Sequence, residues 1–149
     1  MQITRSADYA LRVMIHLAGQ PPGARTSRET LAQWTEAPSE FLSKVLQALT
    51  RARLIQSHRG MRGGFALARD GAEITALHVL EAIEGPLQLN VCLAQDPQCG
   101  RRWWCAGHDL WKNAQAAMAQ VLTGATMAQL ARDSFQRKGL TQVEVSPWN

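Results

Sequence analysis

The sequence predicts a mainly α-helical protein with one small β-hairpin, arranged as a winged helix-turn-helix and followed by a long C-terminal dimerisation helix. Three observations support this fold class. Apolar residues recur at helical spacing in several segments of the 149-residue chain. Two short helices joined by a tight turn precede two strand-like runs around a glycine-rich loop. Nearer the C-terminus, a longer amphipathic segment carries a seam of apolar residues.

The N-terminal part reads as three helices. The first is expected over residues 4–19, with Thr4 as its N-cap. Thr26 followed by Glu29 has the form of a capping box and opens a second helix that reaches about Trp34. After a turn at Ala37-Pro38-Ser39, residues 39–53 form a third helix, the recognition helix of the motif. Its apolar stripe consists of Phe41, Leu42, Val45, Leu46 and Leu49.

The wing is expected next, from two short strands at residues 54–58 and 65–68. The loop between them, RGMRGG, contains three glycines that permit the positive φ angles of a hairpin. Arg59 and Arg62 in this loop could approach a DNA backbone or enter a minor groove, where negative potential is concentrated. The loop matches neither G-x-G-x-x-G nor a P-loop, which argues against nucleotide binding.

The remaining chain predicts a helix over residues 75–84, one over 106–122 and a last one near 127–136, opened by Thr126. The middle helix carries a coiled-coil-like seam of Trp111, Ala114, Met118 and Val121. We therefore divide the chain into a winged helix-turn-helix at 1–85, a cysteine segment at 86–107, dimerisation helices at 108–136 and a tail at 137–149.

The net charge of +4 is unevenly distributed. Residues 1–69 contain ten Lys and Arg against four Asp and Glu, whereas residues 70–149 contain six against eight. A basic N-terminal half is typical of a protein that binds nucleic acid, because neutralising phosphates supplies much of the affinity. No apolar run approaches the roughly 20 residues of a membrane span, and no signal-peptide pattern is present. We expect a cytoplasmic protein without a membrane partner.

The three cysteines of the chain, Cys92, Cys99 and Cys105, lie within 14 residues, and His108 follows the last of them by three positions. The pattern Cys-x6-Cys-x5-Cys-x2-His can supply ligands to a thiophilic metal. It lacks the paired C-x2-C knuckles usual at zinc sites, and long loops between single cysteines suit the width of an iron–sulfur cluster. A cysteine-dependent enzyme is disfavoured, because no third residue is evident to orient a catalytic base.

The sequence resembles the Rrf-type family of bacterial iron–sulfur transcription regulators, which includes IscR, NsrR and RirA. The resemblance covers nearly the whole chain. It rests on five segments in order: MQITRSADYALR, the wing HRGMRGGFALAR, EITALHVLEAIEG, the three-cysteine segment and its end CAGHDLW. It implies a homodimer whose long helices cross, with an iron–sulfur cluster near the dimer interface and two winged helices that read a pseudo-palindromic double-stranded DNA operator.

The resemblance offers two candidates for the fourth ligand of the cluster. His108 matches the position at which IscR uses an imidazole for a two-iron cluster. Asp8, in the first helix, matches the NsrR position from which a carboxylate reaches across the dimer to a four-iron cluster. We favour His108 and a 2Fe–2S cluster, with Asp8 and 4Fe–4S as the alternative, and an exogenous or missing fourth ligand stays open.

The recognition helix departs from IscR-like sequences, which present small polar residues and an acid where this chain has PSEFLSK. The residues expected to face DNA are Ser39, Ser43, Lys44 and Gln47 in the major groove, and Arg59 and Arg62 in the minor groove or at phosphates. The predicted function is a transcriptional regulator, a repressor and not an enzyme, whose cluster senses iron–sulfur status, nitric oxide or redox stress. The alternative is a regulator of the same fold that binds no metal and senses through thiol oxidation or a partner protein.

Overall fold

The structure, a computed structural model, describes residues 3–94 and 99–139. Within these residues the chain forms six α-helices, a short 3-10 turn at Val91–Leu93 and one antiparallel hairpin, which confirms the predicted fold class. The elements are, in chain order, α1 (Arg5–Ala18), α2 (Arg28–Thr35), α3 (Ser39–Arg51), β1 (Ile55–His58), β2 (Gly64–Leu67), α4 (Ala76–Glu84), α5 (Ala106–Gly124) and α6 (Met127–Arg137).

Helix α1 lies at the centre of the molecule and packs against α2, α3, α4, α6 and β2. Its N-cap is Thr4, as predicted, and the Thr4 hydroxyl oxygen accepts a hydrogen bond from the Ala7 backbone N–H (3.3 Å). Because neighbours cover α1 on several sides, its buried face is wider than a single stripe and comprises Ala7, Ala10, Val13, Met14, His16 and Leu17. The core around α1 includes Leu31, Leu42, Leu49, Ile74, Val79 and Met127.

The predicted capping box of α2 at Thr26 and Glu29 is wrong. The N-cap is Ser27, whose hydroxyl oxygen accepts a hydrogen bond from the Thr30 backbone N–H (3.1 Å). Thr26 is buried and instead forms a β-bridge with Phe65 of β2, with two backbone hydrogen bonds of 2.9 Å. Since this pairing holds Thr26 in an extended conformation, the helix begins one residue later than the sequence pattern indicates.

Helix α3 begins at Ser39, as predicted, and buries Leu42, Val45, Leu46 and Leu49. Phe41 does not belong to this buried stripe: it is 43% exposed and contacts Tyr9 of α1 edge-on, with 6.3 Å between ring centroids. The strands β1 and β2 then pair antiparallel, from Ile55 opposite Leu67 to His58 opposite Gly64. The hairpin therefore projects from the end of α3 as the predicted wing.

The two C-terminal helices differ in their burial. In α6, Met127, Ala131 and Phe135 are buried and the helix packs against α1. Thr126 is its N-cap, as predicted, and accepts a hydrogen bond from the Gln129 backbone N–H (3.2 Å). Helix α5, by contrast, has 19 residues and no buried side chain, although it contacts α4. No helix in the described ranges combines the length and apolar character needed to cross a membrane, and most of the expected tail, residues 140–149, lies outside those ranges.

Candidate functional site

The exposed side of α3 carries the side chains that were predicted to face the major groove. Ser39, Lys44 and Gln47 are exposed, whereas Ser43 is half-buried. The Ser43 hydroxyl donates a hydrogen bond to the Ser39 carbonyl oxygen (2.8 Å), one turn earlier in the helix. Because the apolar side of α3 is buried in the core, the polar side faces outward. Lys44 and Gln47 are thus long polar side chains on this face, which also presents Glu40 and Arg51.

The wing places Arg59 and Arg62 at the surface, where both are exposed. The loop closes through a hydrogen bond from the Gly63 backbone N–H to the Gly60 carbonyl oxygen (2.8 Å). Gly60 has a φ of 101°, which favours glycine. At Gly63, an added Cβ would lie 2.5 Å from the His58 carbonyl oxygen, so no larger residue fits this turn.

Two clefts connect the wing with the helices. One, of about 710 Å³, lies between α2 and the wing and is lined in part by Arg25, Arg28 and Arg62. The other, of about 610 Å³, lies between α3 and β1 and is lined in part by Arg28 and Gln47. Because Arg28 lines both clefts, the two clefts adjoin, and we refer to them together as the basic groove.

Sequence reasoning missed Arg25 and Arg28 as part of this face. Arg25 donates a hydrogen bond to the carbonyl oxygen of Arg62 (3.3 Å), and Arg28 donates one to the carbonyl oxygen of Ser39 (3.1 Å). Arg25 therefore connects the loop before α2 to the wing. Arg28, the first residue of α2, connects that helix to the start of α3. The available signal was the basic excess of the N-terminal half, but placing these residues required the fold.

The described part of the cysteine segment contacts α5. Cys92 is buried in the 3-10 turn, which contacts α5. Cys99 and Cys105 are half-buried. Cys105 is the residue that precedes the first turn of α5, and a Cβ added at Gly107 would lie 3.4 Å from the Cys105 Sγ. The Cys105 sulfur therefore lies beside the first turn of α5, the turn that also contains His108.

The cysteine segment and the start of α5 contain donor atoms of the kinds that bind iron–sulfur clusters. The Nδ1 atom of His108 is buried and has no hydrogen-bond partner among the described residues. A buried polar atom without a partner is costly, and an imidazole nitrogen is a common metal ligand. Iron–sulfur clusters are held mainly by thiolates, and an imidazole can take the place of a thiolate. The chemistry therefore fits, although no three His, Cys, Asp or Glu side chains in residues 3–94 and 99–139 lie close enough to hold a metal ion.

Asp8, the alternative fourth ligand, is paired with another residue in the single chain. Its carboxylate forms an ion pair with the Arg12 guanidinium one turn later in the helix (2.8 Å), and both side chains are about half exposed. Arg12 also donates to the carbonyl oxygen of Thr35 at the end of α2 (3.2 Å). An exposed ion pair contributes only about 0.2–1 kcal/mol, so exchanging Arg12 for another partner would cost Asp8 little.

Comparison with known proteins agrees with this geometry. The model of the Rrf2 family, described as an iron-dependent transcriptional regulator, matches residues 3–133. Rv1287 of Mycobacterium tuberculosis, an HTH-type transcriptional regulator by name, is 37% identical over 133 residues, which cover 88% of this chain and 81% of the relative. The HTH-type transcriptional regulator NsrR of Shouchella clausii is 29% identical over 147 residues, which cover 98% of this chain and 99% of the relative.

The fold is likewise similar to a solved regulator. The structure of CymR from B. subtilis superposes with a TM-score of 0.74 at 28% identity, covering 89% of this chain and 97% of that one. These matches confirm the resemblance that the sequence motifs indicated, and the winged helix carries the exposed polar and basic side chains described above. The chain belongs to the Rrf2 family and is a DNA-binding transcriptional regulator, not an enzyme.

Proposed function

We propose that this protein is a homodimeric repressor whose affinity for its DNA operator is controlled by an iron–sulfur cluster. The observation that carries the proposal is the buried, unpartnered Nδ1 of His108, three residues after Cys105 at the start of α5. Cys92, Cys99, Cys105 and His108 would hold the cluster, and 2Fe–2S is the favoured type. When bound, such a cluster supplies a redox-active and labile group, whose gain, loss or oxidation can report iron–sulfur status, nitric oxide or redox stress.

The placement of Cys92 supports this assignment. The Leu89 backbone N–H donates a hydrogen bond to the Gln115 side-chain oxygen (3.0 Å), which ties the segment before the 3-10 turn to α5. Cys92 is therefore held near α5, the helix that directly follows Cys105 and contains His108. The relative NsrR and the family description as iron-dependent regulators support a metal-based signal.

The exposed side of α5 supports the homodimer. Its outward apolar stripe consists of Leu110, Ala114, Ala117 and Val121, spaced four, three and four residues apart, with Leu110 62% and Val121 71% exposed. This spacing is that of a coiled-coil seam. The stripe shares the half-buried Ala114 and the exposed Val121 with the seam expected from the sequence. Of the other two seam residues, Trp111 is 41% exposed and Met118 is half-buried. A second copy of the chain would bury the stripe against itself.

A second candidate function is a regulator that binds no metal and senses through its thiols or a partner protein. It is favoured by the likeness to CymR, which is described as the global cysteine regulator of B. subtilis. Cys99 and Cys105 are half-buried, so a small oxidant or thiol could reach them.

Anaerobic purification followed by iron, sulfide and visible-absorption measurements separates the two functions. A cluster protein is coloured, and replacing any one of Cys92, Cys99 or Cys105 by Ala should abolish the visible absorption while far-UV circular dichroism stays unchanged. A colourless parent protein with free thiols would contradict the cluster and favour thiol sensing. A cysteine variant that retained full iron and sulfide would remove that cysteine from the ligand set.

The fourth ligand is tested with His108→Ala and Asp8→Ala in the same preparations. The His108 change should perturb the electron paramagnetic resonance spectrum of the reduced cluster more than the Asp8 change, because His108 presents a buried nitrogen without a partner among the described residues, whereas Asp8 is paired with Arg12. Arg12→Ala serves as a control, since it removes the partner of Asp8 and leaves the carboxylate. A parent-like spectrum from His108→Ala together with cluster loss in Asp8→Ala would assign the carboxylate instead.

A further inference from the structure

The apex of the wing carries an apolar side chain that none of the described residues covers. Met61 and Arg62 are the two central residues of the turn closed by the hydrogen bond between Gly63 and Gly60. Met61 is 107% exposed, which means that its side chain extends fully into solvent. It is flanked by the exposed cations Arg59 and Arg62. An apolar side chain between two cations on an exposed turn is suited to contact a ligand with a negatively charged surface and an apolar interior.

The turn holds Met61 in a defined position. The backbone is close-packed at Gly63, and the Arg25 side chain braces the turn through the carbonyl oxygen of Arg62 (3.3 Å). Gly64 is similarly close to the backbone of Thr26, which anchors the base of the turn to the loop before α2. The apex is thus supported from the body of the protein, and the exposed Met61 side chain lies at the edge of the cleft that it lines together with Arg25 and Arg28.

We propose that Met61 is an apolar wedge that enters the DNA minor groove and partly unstacks a base step, while Arg59 and Arg62 neutralise the adjoining phosphates. This inference rests on the proposed DNA-reading role of the wing and adds a residue and a mode of readout to it. Methionine is among the side chains that can be inserted between base pairs, and such insertion kinks the duplex. The cost of unstacking is lowest at pyrimidine–purine steps, so the wedge would favour such a step in the operator flank and bend the DNA there.

The test uses a DNA duplex that the purified protein itself selects from a random-sequence library, and a scrambled duplex for comparison. Binding constants are measured for the parent, Met61→Ala, Met61→Leu and Met61→Lys, and bending is measured by energy transfer between fluorophores at the duplex ends. Met61→Ala should bind the selected duplex roughly tenfold more weakly and bend it less. Its salt dependence should equal that of the parent, because no cation is lost. Met61→Leu should retain affinity and bend, whereas Met61→Lys should not restore the bend.

The outcomes separate the wedge from the proposed function as a whole. If the parent selects no duplex, DNA reading itself fails. If the parent selects and bends a duplex, but Met61→Ala or Met61→Lys bends it equally, the wedge is overturned and the regulator function stands. A loss of affinity in Met61→Ala without loss of the bend also overturns the wedge. Circular dichroism of each variant checks folding, and no change is expected because the Met61 side chain contacts solvent.

Discussion

The imidazole of His16 lies in the core, 1% exposed, against the ring of Trp34 (4.9 Å between centroids), and Trp34 in turn contacts Phe135 (5.4 Å). Neither ring nitrogen of His16 has a hydrogen-bond partner among the described residues. Burial lowers the pKa of His16 from 6.5 to about 4, because the charged form loses its hydration. His16 is therefore a neutral packing residue that links α1, α2 and α6 at pH 7.

This burial predicts a pH-dependent stability. Between about pH 6.5 and 4 the unfolded chain binds a proton at His16 and the folded chain does not, so the free energy of unfolding falls as the pH falls through this window. The loss should reach roughly 3 kcal/mol. His16→Leu should remove this component in urea unfolding at pH 7 and pH 4.5. The same pH dependence in His16→Leu and the parent would contradict the assignment.

Replacing cations on the two elements that are proposed to contact DNA should have two different effects on binding. Arg59→Ala should weaken binding to all sequences and lower the salt slope by about 1, because it removes a phosphate or minor-groove contact. Lys44→Ala should cost roughly 1–3 kcal/mol on the selected operator alone. Arg137→Ala, an exposed cation on α6, is the matched control in the same fluorescence-anisotropy titrations. Unchanged affinity and salt slope in both Arg59→Ala and Lys44→Ala would mean that DNA contacts another face.

Helix α5 carries apolar residues that the single chain leaves exposed. It has 19 residues and an outward apolar stripe, yet no buried side chain. Trp103 and Trp104, just before it, are 84% and 71% exposed and enlarge the apolar surface. Large contiguous apolar patches usually mark an interface, and in the proposed homodimer a second copy covers this one.

We expect the double change Leu110→Glu and Val121→Glu to convert the dimer to a monomer, because charges on both sides of a self-complementary seam repel each other. Gln120→Glu, at an exposed position outside the stripe, should stay dimeric. Sedimentation velocity of the three proteins checks this. A dimeric double variant would place the interface elsewhere, and a monomeric parent would contradict the homodimer.

At the scale of the whole molecule, the basic groove and the apolar stripe lie on different parts of the chain. The groove runs between the wing, α2 and α3, whereas the stripe belongs to α5. A dimer joined through α5 would leave both winged helices available for DNA. The charge distribution agrees, since the basic excess lies in residues 1–69.

Such a dimer should protect a pseudo-palindrome whose half-site centres lie about 10 base pairs, or one helical turn, apart. Inserting about 5 base pairs between the half-sites would place them on opposite faces of the duplex, so affinity should fall to that of a single half-site. Inserting a full turn tests whether helical phase alone matters. Footprinting and titration of the three duplexes measure the effect, and equal affinity for the half-turn insertion would argue against two linked half-sites.

The sequence by itself determined the features that depend on local interactions. Thr4 and Thr126 cap α1 and α6 as predicted, and α3 begins at Ser39, since capping and helical periodicity involve residues within one or two turns. The hairpin followed from its glycines. The family could be recognised because its motifs are contiguous segments, and the cysteine pattern named the candidate ligands without placing them together.

The tertiary structure alone decided the features that depend on residues far apart in the chain. Thr26 lost its predicted capping role to a backbone pairing with Phe65, about forty positions later. Phe41 was expected in the buried stripe of α3 but is 43% exposed, because the neighbours that α3 meets are set by packing and not by local pattern. The contacts of Arg25 with the wing and of Arg28 with α3 could be seen only in the folded structure. Local propensity specifies where helices begin, but which side chains meet is decided by the contacts that close the core.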